Sequence, residues 1–171
     1  MAEINSLGML GQHKNIPEWW VSKPTKVPFL SDLKMVFVIT EELDNNKFSE
    51  DVNNAIMKFL TLTDKDRLEI TEYIIKNYED FIDSTDEEPL PIKHMEDIWE
   101  YVHPENIYVS RRQYGDRKIY IQIMCECDWE EEHGLQIIYR DGQILSRVSD
   151  QDGHVTYSDA YGLPESEDRI V

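Results

Sequence analysis

The chain is poor in cysteine, in long apolar runs and in positive charge, and each shortage excludes a class of protein. Two cysteines among 171 residues fit a reducing compartment and argue against a disulfide-stabilised scaffold. The longest apolar runs, such as residues 35–39, fall far short of the roughly 20 residues of a membrane-spanning helix. The amino terminus lacks the basic start and apolar stretch of a secretory signal. We therefore expect a cytoplasmic protein without a membrane-spanning segment.

Charge of one sign dominates the composition. The chain has 17 lysines and arginines against 35 aspartates and glutamates, which gives a net charge of −18. Such a field repels nucleic-acid backbones and anionic membranes and attracts cationic proteins. We therefore expect neither a nucleic-acid nor a membrane partner. The excess of carboxylate has two interpretations: it keeps the protein in solution, or it forms an acidic face that binds a basic protein, as in inhibitors of nucleases.

The remaining composition is that of a globular protein, with 40% hydrophobic and 11% aromatic residues. Its length suits a single domain over residues 1–171. We predict an α+β fold with an N-terminal arm, a short strand and a helical half, followed by a C-terminal antiparallel β-meander. The predicted parts are an anchoring arm at 1–30, a mainly helical part at 31–103 with a short strand at 35–40, an antiparallel sheet at 104–163 and a tail at 164–171.

Apolar residues recur at helical spacing in the first half of the chain and predict three helices. The first stripe follows Ser49, which is placed to cap its helix. Thr63 and Asp66 have the spacing of a capping box at the start of the second helix. The third helix is shorter and closes before Pro104, because a residue that precedes a proline disfavours the helical conformation. The stripes are Val52, Ala55, Ile56, Phe59 and Leu60; Leu68, Thr71, Ile75, Tyr78 and Ile82; and Met95, Ile98, Trp99 and Val102.

The two cysteines belong to a strand-like segment at residues 119–127. Strict alternation in this segment places both thiols on the same side as its isoleucines. Cys125, Cys127, His133 and His154 also form a set of side chains that zinc accepts. The single residue between the cysteines and the strand alternation argue against zinc and favour thiols buried as small hydrophobes.

The dipeptide Asp141-Gly142 is a strong signal for a two-residue hairpin turn. In the register that follows, one face collects apolar side chains and the other mostly polar ones, as in a half-buried antiparallel sheet. The pairs of this register are Arg140 with Gln143, Tyr139 with Ile144, and Leu135 with Val148. It brings the segments around His133 and Asp150 to the same end of the hairpin.

Carboxylates and imidazoles are concentrated at that end of the hairpin. Oxygen and nitrogen donors of this kind suit calcium, magnesium or manganese, or a general acid and base. They equally suit a structural corner whose carboxylates accept bonds from backbone amides, or a binding surface. The five candidates for metal ligation are Glu130, Glu132, His133, Asp152 and His154.

Three aromatic residues, Trp129, Tyr157 and Tyr161, are expected near the same end of the sheet. If exposed, they form a recognition patch with acidic neighbours; if buried, they cover the end of the sheet. The chain has no phosphate-binding glycine loop, no Gly-x-Ser-x-Gly elbow and no recognised cysteine-nucleophile signature. This favours a non-enzymatic protein over an enzyme.

Residues 107–156, and especially 127–136 with 152–156, resemble a family of uncharacterised bacterial proteins. The family signature is Cys-x-Trp-Glu-x-Glu-His-Gly-Leu, then a strand and a glycine turn, then Asp-Gly-His-x-Thr. The helical half is also similar, so the resemblance extends over most of the chain. It implies the α+β arrangement but names no reaction. It marks Trp129, Glu130, Glu132, His133, Asp152 and His154 as the functional cluster.

Two functions follow from these observations. The first is a non-enzymatic module that binds a basic protein without a cofactor, in general character similar to bacterial immunity or antitoxin proteins. Its predicted binding residues are Trp129, Glu130, Glu132, His133, Asp152, His154 and Tyr157. The alternative is a divalent-metal protein or metal-dependent enzyme that uses the five candidate ligands.

Overall fold

The computed structural model describes residues 2–43 and 46–171, with the backbone alone at 46. Within these residues the chain forms strands β1 (Ala2–Ile4), β2 (Gly8–Gln12), β3 (Trp20–Val21), β4 (Thr25–Val27), β5 (Leu33–Met35), β6 (Phe37–Ile39), β7 (Val102–Arg111), β8 (Ile119–Cys127), β9 (Leu135–Arg140) and β10 (Ile144–Ser149). The helices are α1 (Asn46–Phe59), α2 (Asp64–Glu69), α3 (Thr71–Ser84) and α4 (Tyr157–Tyr161), with 3-10 helices at Pro28–Leu30, Met95–Tyr101 and Glu165–Glu167.

Eight of these strands form one sheet in the order β1-β2-β3-β6-β7-β8-β9-β10, and β4 and β5 form a separate ribbon. Neighbouring strands are antiparallel except β6 and β7, which are parallel because the helical half of the chain connects them. The α+β class and the C-terminal meander are therefore confirmed. The predicted arm is more regular than expected, since β1, β2 and β3 extend the sheet.

The hydrophobic core lies between the sheet and the helices. The alternation predicted for β8 is observed, and both of its cysteines are buried with the isoleucines. At the centre of the core, the Phe59 ring of α1 lies 6.0 Å from the rings of Phe29 and Tyr139 and 6.4 Å from that of Phe37. This cluster fixes the first helix against the meander.

The predicted helices are present with different limits. α1 begins at Asn46, so Ser49 lies inside the helix and does not cap it. The capping box of Thr63 and Asp66 is observed, but this helix ends at Glu69 and α3 follows as a separate helix. The third predicted helix is a 3-10 helix that ends at Tyr101, before Pro104 as expected.

The predicted register of the last hairpin is wrong in detail. Ile144 pairs with Arg140, which leaves a three-residue loop, and a bulge between Leu145 and Arg147 shifts the pairing once more. The longer loop shifts the pairing by one residue, and the bulge shifts it by one more. Because side chains along a strand alternate between the two faces, the two shifts together leave Val148 facing the core. Ile144 lies between the shifts and is exposed.

The longer loop of this hairpin is explained by its contact with α1. A Cβ atom at Gly142 would lie 1.9 Å from the carbonyl oxygen of Ala55, and Gly142 has a φ of +81°. Asp141 forms an ion pair of 2.6 Å with Lys58 of α1. The conformation of the loop therefore depends on its packing against α1. A local turn signal such as Asp-Gly does not report this packing.

The second face of the sheet is also buried, which corrects the expectation of a half-buried sheet. Ile138, Gln136 and Arg147 on this face are almost inaccessible to solvent. The chain after β10 covers them, and the N–H of Val148 donates to the carbonyl oxygen of Ile170 in the tail. Among the described residues, no helix has the length and apolar character needed to cross a bilayer.

Candidate functional site

The two segments that the hairpin was expected to join lie side by side. We call residues 128–134 the first bend and residues 150–154 the second bend. The backbone N–H of Gln151 donates to the carbonyl oxygen of His133 at 3.3 Å. The side-chain amide of Gln151 donates to the carbonyl oxygen of Cys125 at 2.8 Å. Backbone and amide bonds thus hold the second bend against the first.

Glu130 bonds to neighbouring groups within the first bend. One carboxylate oxygen of Glu130 accepts from the N–H groups of Glu132 (2.9 Å) and His133 (3.3 Å), and the other lies 3.3 Å from His133 Nδ1. Burial alone would raise the pKa of Glu130, but these donors outweigh it and the pKa is lowered. Glu130 is therefore an ionised carboxylate that stabilises the bend, while Glu132 is exposed.

The second bend is folded around a buried arginine. Both guanidinium ends of Arg147 donate to Asp152 at 2.7 Å, and the N–H of His154 donates to the same carboxylate at 3.0 Å. Burial pushes the pKa of Asp152 upward, but its bonds with Arg147 and His154 leave the pKa lowered. Asp152 thus neutralises an arginine whose side chain is 2% exposed.

The predicted metal donors are not gathered around a common point in the described residues. Across residues 2–43 and 46–171, no group of three His, Cys, Asp or Glu side chains is arranged to hold a metal ion. Burial raises the pKa of the Cys125 thiol and raises that of Cys127 to about 12, so neither thiol is ionised near neutral pH. The carboxylates of Glu130 and Asp152 have partners within their own bends.

Trp129 is buried in the core rather than presented at the surface. Its ring packs edge-on against Tyr78 of α3, with 5.7 Å between ring centroids. Its indole N–H donates to the Oδ1 atom of Asn77 at 3.2 Å. Asn77 in turn donates to the carboxylate of Asp150 at 3.1 Å. The conspicuous tryptophan of the first bend therefore positions an aspartate of the second bend through one asparagine.

Asp150 lies at a cleft of about 210 Å³ at the β10 edge of the sheet, where α3 and α4 meet. We call it the α3–α4 cleft. Its walls include Asn77, Asp80, Ser149, Asp150, Tyr157 and Tyr161. The carboxylates thus come from α3 and from the second bend, whereas the aromatic rings come from α4.

The two tyrosines of the cleft are one helical turn apart and pack together. Their ring centroids are 4.5 Å apart, with an angle of 35° between the planes. Thr156 caps this short helix by accepting a bond from the N–H of Asp159, and Gly162 ends it at a φ of 63°. Tyr161 is 62% exposed. The helix therefore presents one tyrosine face to solvent.

A larger groove of about 500 Å³ lies on the second face of the sheet, and its walls include His154. The buried Arg112 forms part of its wall, with two bonds of 2.8 Å to Asp159 and one of 2.7 Å to Glu165. These carboxylates raise the pKa of Arg112. The arginine thus fastens the C-terminal segment to the sheet.

Exposed carboxylates are gathered from three segments distant in sequence. The first bend contacts α3 through Trp129, and the N–H of Asp128 donates to the carbonyl oxygen of Tyr101 at the end of the second 3-10 helix. We call the surface of α3, of Met95–Tyr101 and of the first bend the acidic face. Its exposed acids without an ion pair among the described residues are Glu72, Glu79, Asp83, Glu96, Glu100, Glu131 and Glu132.

Fold and surface together define a strongly acidic α+β domain with two bends joined at one end of its sheet. The chain belongs to a family described as a domain of unknown function (DUF6985), whose model matches residues 7–155. Neither a curated protein nor a solved structure matches the chain. The family match includes both bends and ends before α4.

Sequence reasoning missed Asn77 and Asp80, and it assigned Arg147 to a polar face. Asn77 had a detectable signal, because this polar residue lies about one helical turn from the apolar Ile74 and from the apolar Phe81. The role of Arg147 had no local signal. Its burial depends on chain that follows the strand and covers the sheet.

Proposed function

We propose that this chain is a non-enzymatic protein-binding module whose acidic face binds a basic protein. The supporting observation is that α3, Met95–Tyr101 and the first bend adjoin one another and together carry the exposed carboxylates of the acidic face. Asp80, Asp128 and Glu130 of these segments form ion pairs, whereas the exposed acids named above for the acidic face form none among the described residues. No observation on the described residues specifically favours the metal-dependent alternative.

Such a surface weakens the folded state, because like charges repel one another when the chain is compact. A basic partner removes that repulsion and is also drawn to the surface over distances near the Debye length, about 8–10 Å at physiological salt. Electrostatic attraction of this type raises association rates more than it raises affinity. The specific form that we propose is neutralisation of a basic toxin, in the manner of an immunity or antitoxin protein.

The predicted binding residues take different roles in this proposal. Glu132 of the first bend and His154 of the second are exposed and contact the partner, as does Tyr157 at the cleft. Trp129, Glu130, His133 and Asp152 hold the bends in place.

The experiment begins with a pull-down from the native host at low salt, followed by purification of any stoichiometric basic partner. Association rates of the purified pair are then measured between about 50 and 500 mM salt. We expect the rate to fall at least tenfold over this range. The double variant Glu131→Gln/Glu132→Gln should slow association, whereas Glu18→Gln, in the loop before β3, should not.

Two results count against this proposal. One is the absence of any stoichiometric partner. The other is a partner whose association rate is independent of salt and equal for the double variant and the Glu18 control. Co-expression with the partner tests the toxin form, since this chain should then restore growth that the partner arrests.

A further inference from the structure

We propose that the α3–α4 cleft binds the guanidinium group of an arginine on the basic partner. This inference rests on the proposed function and assigns to it the side chain that is recognised. The cleft combines an open tyrosine face with two carboxylates within about 210 Å³. That combination suits a planar cation better than a neutral or anionic group.

The tyrosine pair supplies the flat surface. Tyr161 packs against Tyr157 at a tilt and is itself largely exposed. An arginine that stacks on an aromatic face gains cation–π attraction, and the gain increases as water is excluded. A tyrosine with an apolar ring and a polar tip is also a frequent anchor of protein interfaces.

One ring of this pair, that of Tyr157, already accommodates a guanidinium of the protein itself. The guanidinium carbon of Arg169 lies 4.1 Å from the centre of the Tyr157 ring, and the same group bonds to the Tyr157 hydroxyl. Arg169 belongs to the tail, which bonds to β10 through Ile170. One member of the pair therefore already binds an arginine of the chain, and the exposed member is open to a second.

The carboxylates of the cleft supply the charge. Asp150 is oriented by Asn77, which the buried indole of Trp129 holds in turn. Asp80 pairs with Lys76 one turn earlier on α3, at a site where both side chains are more than half exposed. Exposed pairs of this kind contribute little, so a partner arginine can replace the lysine with little loss.

The positive charge of Arg147 in the cleft wall does not oppose this binding. Its guanidinium is held by both oxygens of Asp152 and is buried. Arginine is favoured over lysine because its planar fork stacks on a ring and donates to a carboxylate at the same time. The ammonium group of a lysine also attracts the carboxylates, but it has no flat face that could stack on a tyrosine ring.

The test uses two synthetic peptides of equal length and charge, one rich in arginine and one rich in lysine. Their dissociation constants for the full chain are measured by calorimetry at low salt. We expect the arginine peptide to bind about tenfold more tightly. Tyr161→Leu should remove this preference, whereas Tyr161→Phe, which keeps the ring, should retain it. Asp150→Asn should weaken both peptides.

The controls separate the cleft from the rest of the surface. Tyr114→Leu changes an exposed tyrosine of the larger groove and should leave the preference unchanged, and melting temperatures establish that each variant is folded. If both peptides bind equally and Tyr161→Leu has no effect, the guanidinium site is overturned while the acidic face stands. If neither peptide binds at low salt, the proposed function fails as well.

Discussion

The two faces of the eight-stranded sheet are covered by different means. On the helix side, the covering side chains are almost all apolar, and aromatic rings of α1, β6 and β9 meet at the centre. On the other side, the C-terminal segment is fastened by charged groups, with Arg112 bound to Asp159 and Arg147 bound to Asp152. Only a small apolar cluster of Tyr120, Ile138 and Val155 supports it.

This difference separates stability from recognition. Apolar packing contributes most of the free energy of folding and does not depend on pH. Charged pairs contribute less on balance, because burial removes the hydration of both partners, but they define geometry closely. The face fastened by charged groups carries the second bend and α4, and α4 forms one wall of the α3–α4 cleft at the sheet edge. We therefore expect substitutions on the two faces to differ in magnitude and in pH dependence.

The largest effect is expected on the helix-covered face. Phe59→Ala should lower the free energy of unfolding by about 3–5 kcal/mol, because it removes a fully buried ring and leaves a cavity among three other rings. Urea unfolding at neutral pH measures this loss. Met57→Ala on the exposed side of the same helix should change the free energy by less than about 0.5 kcal/mol. Similar losses for the two variants would refute the assigned core.

A smaller, pH-dependent effect is expected on the other face. Asp159→Asn should lower the free energy of unfolding by about 1–2 kcal/mol, less than for a fully buried pair because solvent screens the carboxylate. The bond from Arg112 lowers the pKa of Asp159 below the ordinary value of 3.8, against the opposing effect of burial. Its contribution is therefore complete above that value and is lost as the pH falls through the lowered pKa.

Urea unfolding between about pH 3 and pH 8 measures this difference. The gap between the natural protein and Asp159→Asn should be constant above about pH 5 and should shrink on further acidification. Glu167→Gln is the control, since this exposed residue of the same segment forms no ion pair among the described residues. A gap that widens in acid would contradict the assigned role of the pair.

The same contrast explains what could be predicted from sequence. The alternation of β8, the capping box at Thr63 and the approach of the two bends are local or nearly local features, and the structure confirms them. Three other features depend on contacts between distant segments. They are the extension of the sheet by β1, β2 and β3, the parallel pairing of β6 with β7, and the covered second face. Periodicity carries no information about such contacts.

The candidate site divides in the same way. Glu130 and His133 are three residues apart and do meet, whereas Asp152 bonds with Arg147 rather than with the first bend. The carboxylate of Asp150 depends on Asn77, which is 73 residues away in the chain. Sequence reasoning therefore predicted that the two bends meet at one end of the sheet, but not the bonds that arrange them.

The smallest expected effect, that of Ile144→Ala, distinguishes the observed register of β10 from the register of a two-residue turn. A two-residue turn would place Ile144 and Val148 on the same buried face, whereas the longer loop and the bulge expose Ile144 and bury Val148. Ile144→Ala should therefore change the free energy of unfolding by less than about 0.5 kcal/mol, and Val148→Ala should lower it by about 2 kcal/mol. Equal losses would favour the two-residue turn. Because Val148 also donates its N–H to the tail, the alanine variant, which keeps that bond, isolates the contribution of side-chain burial.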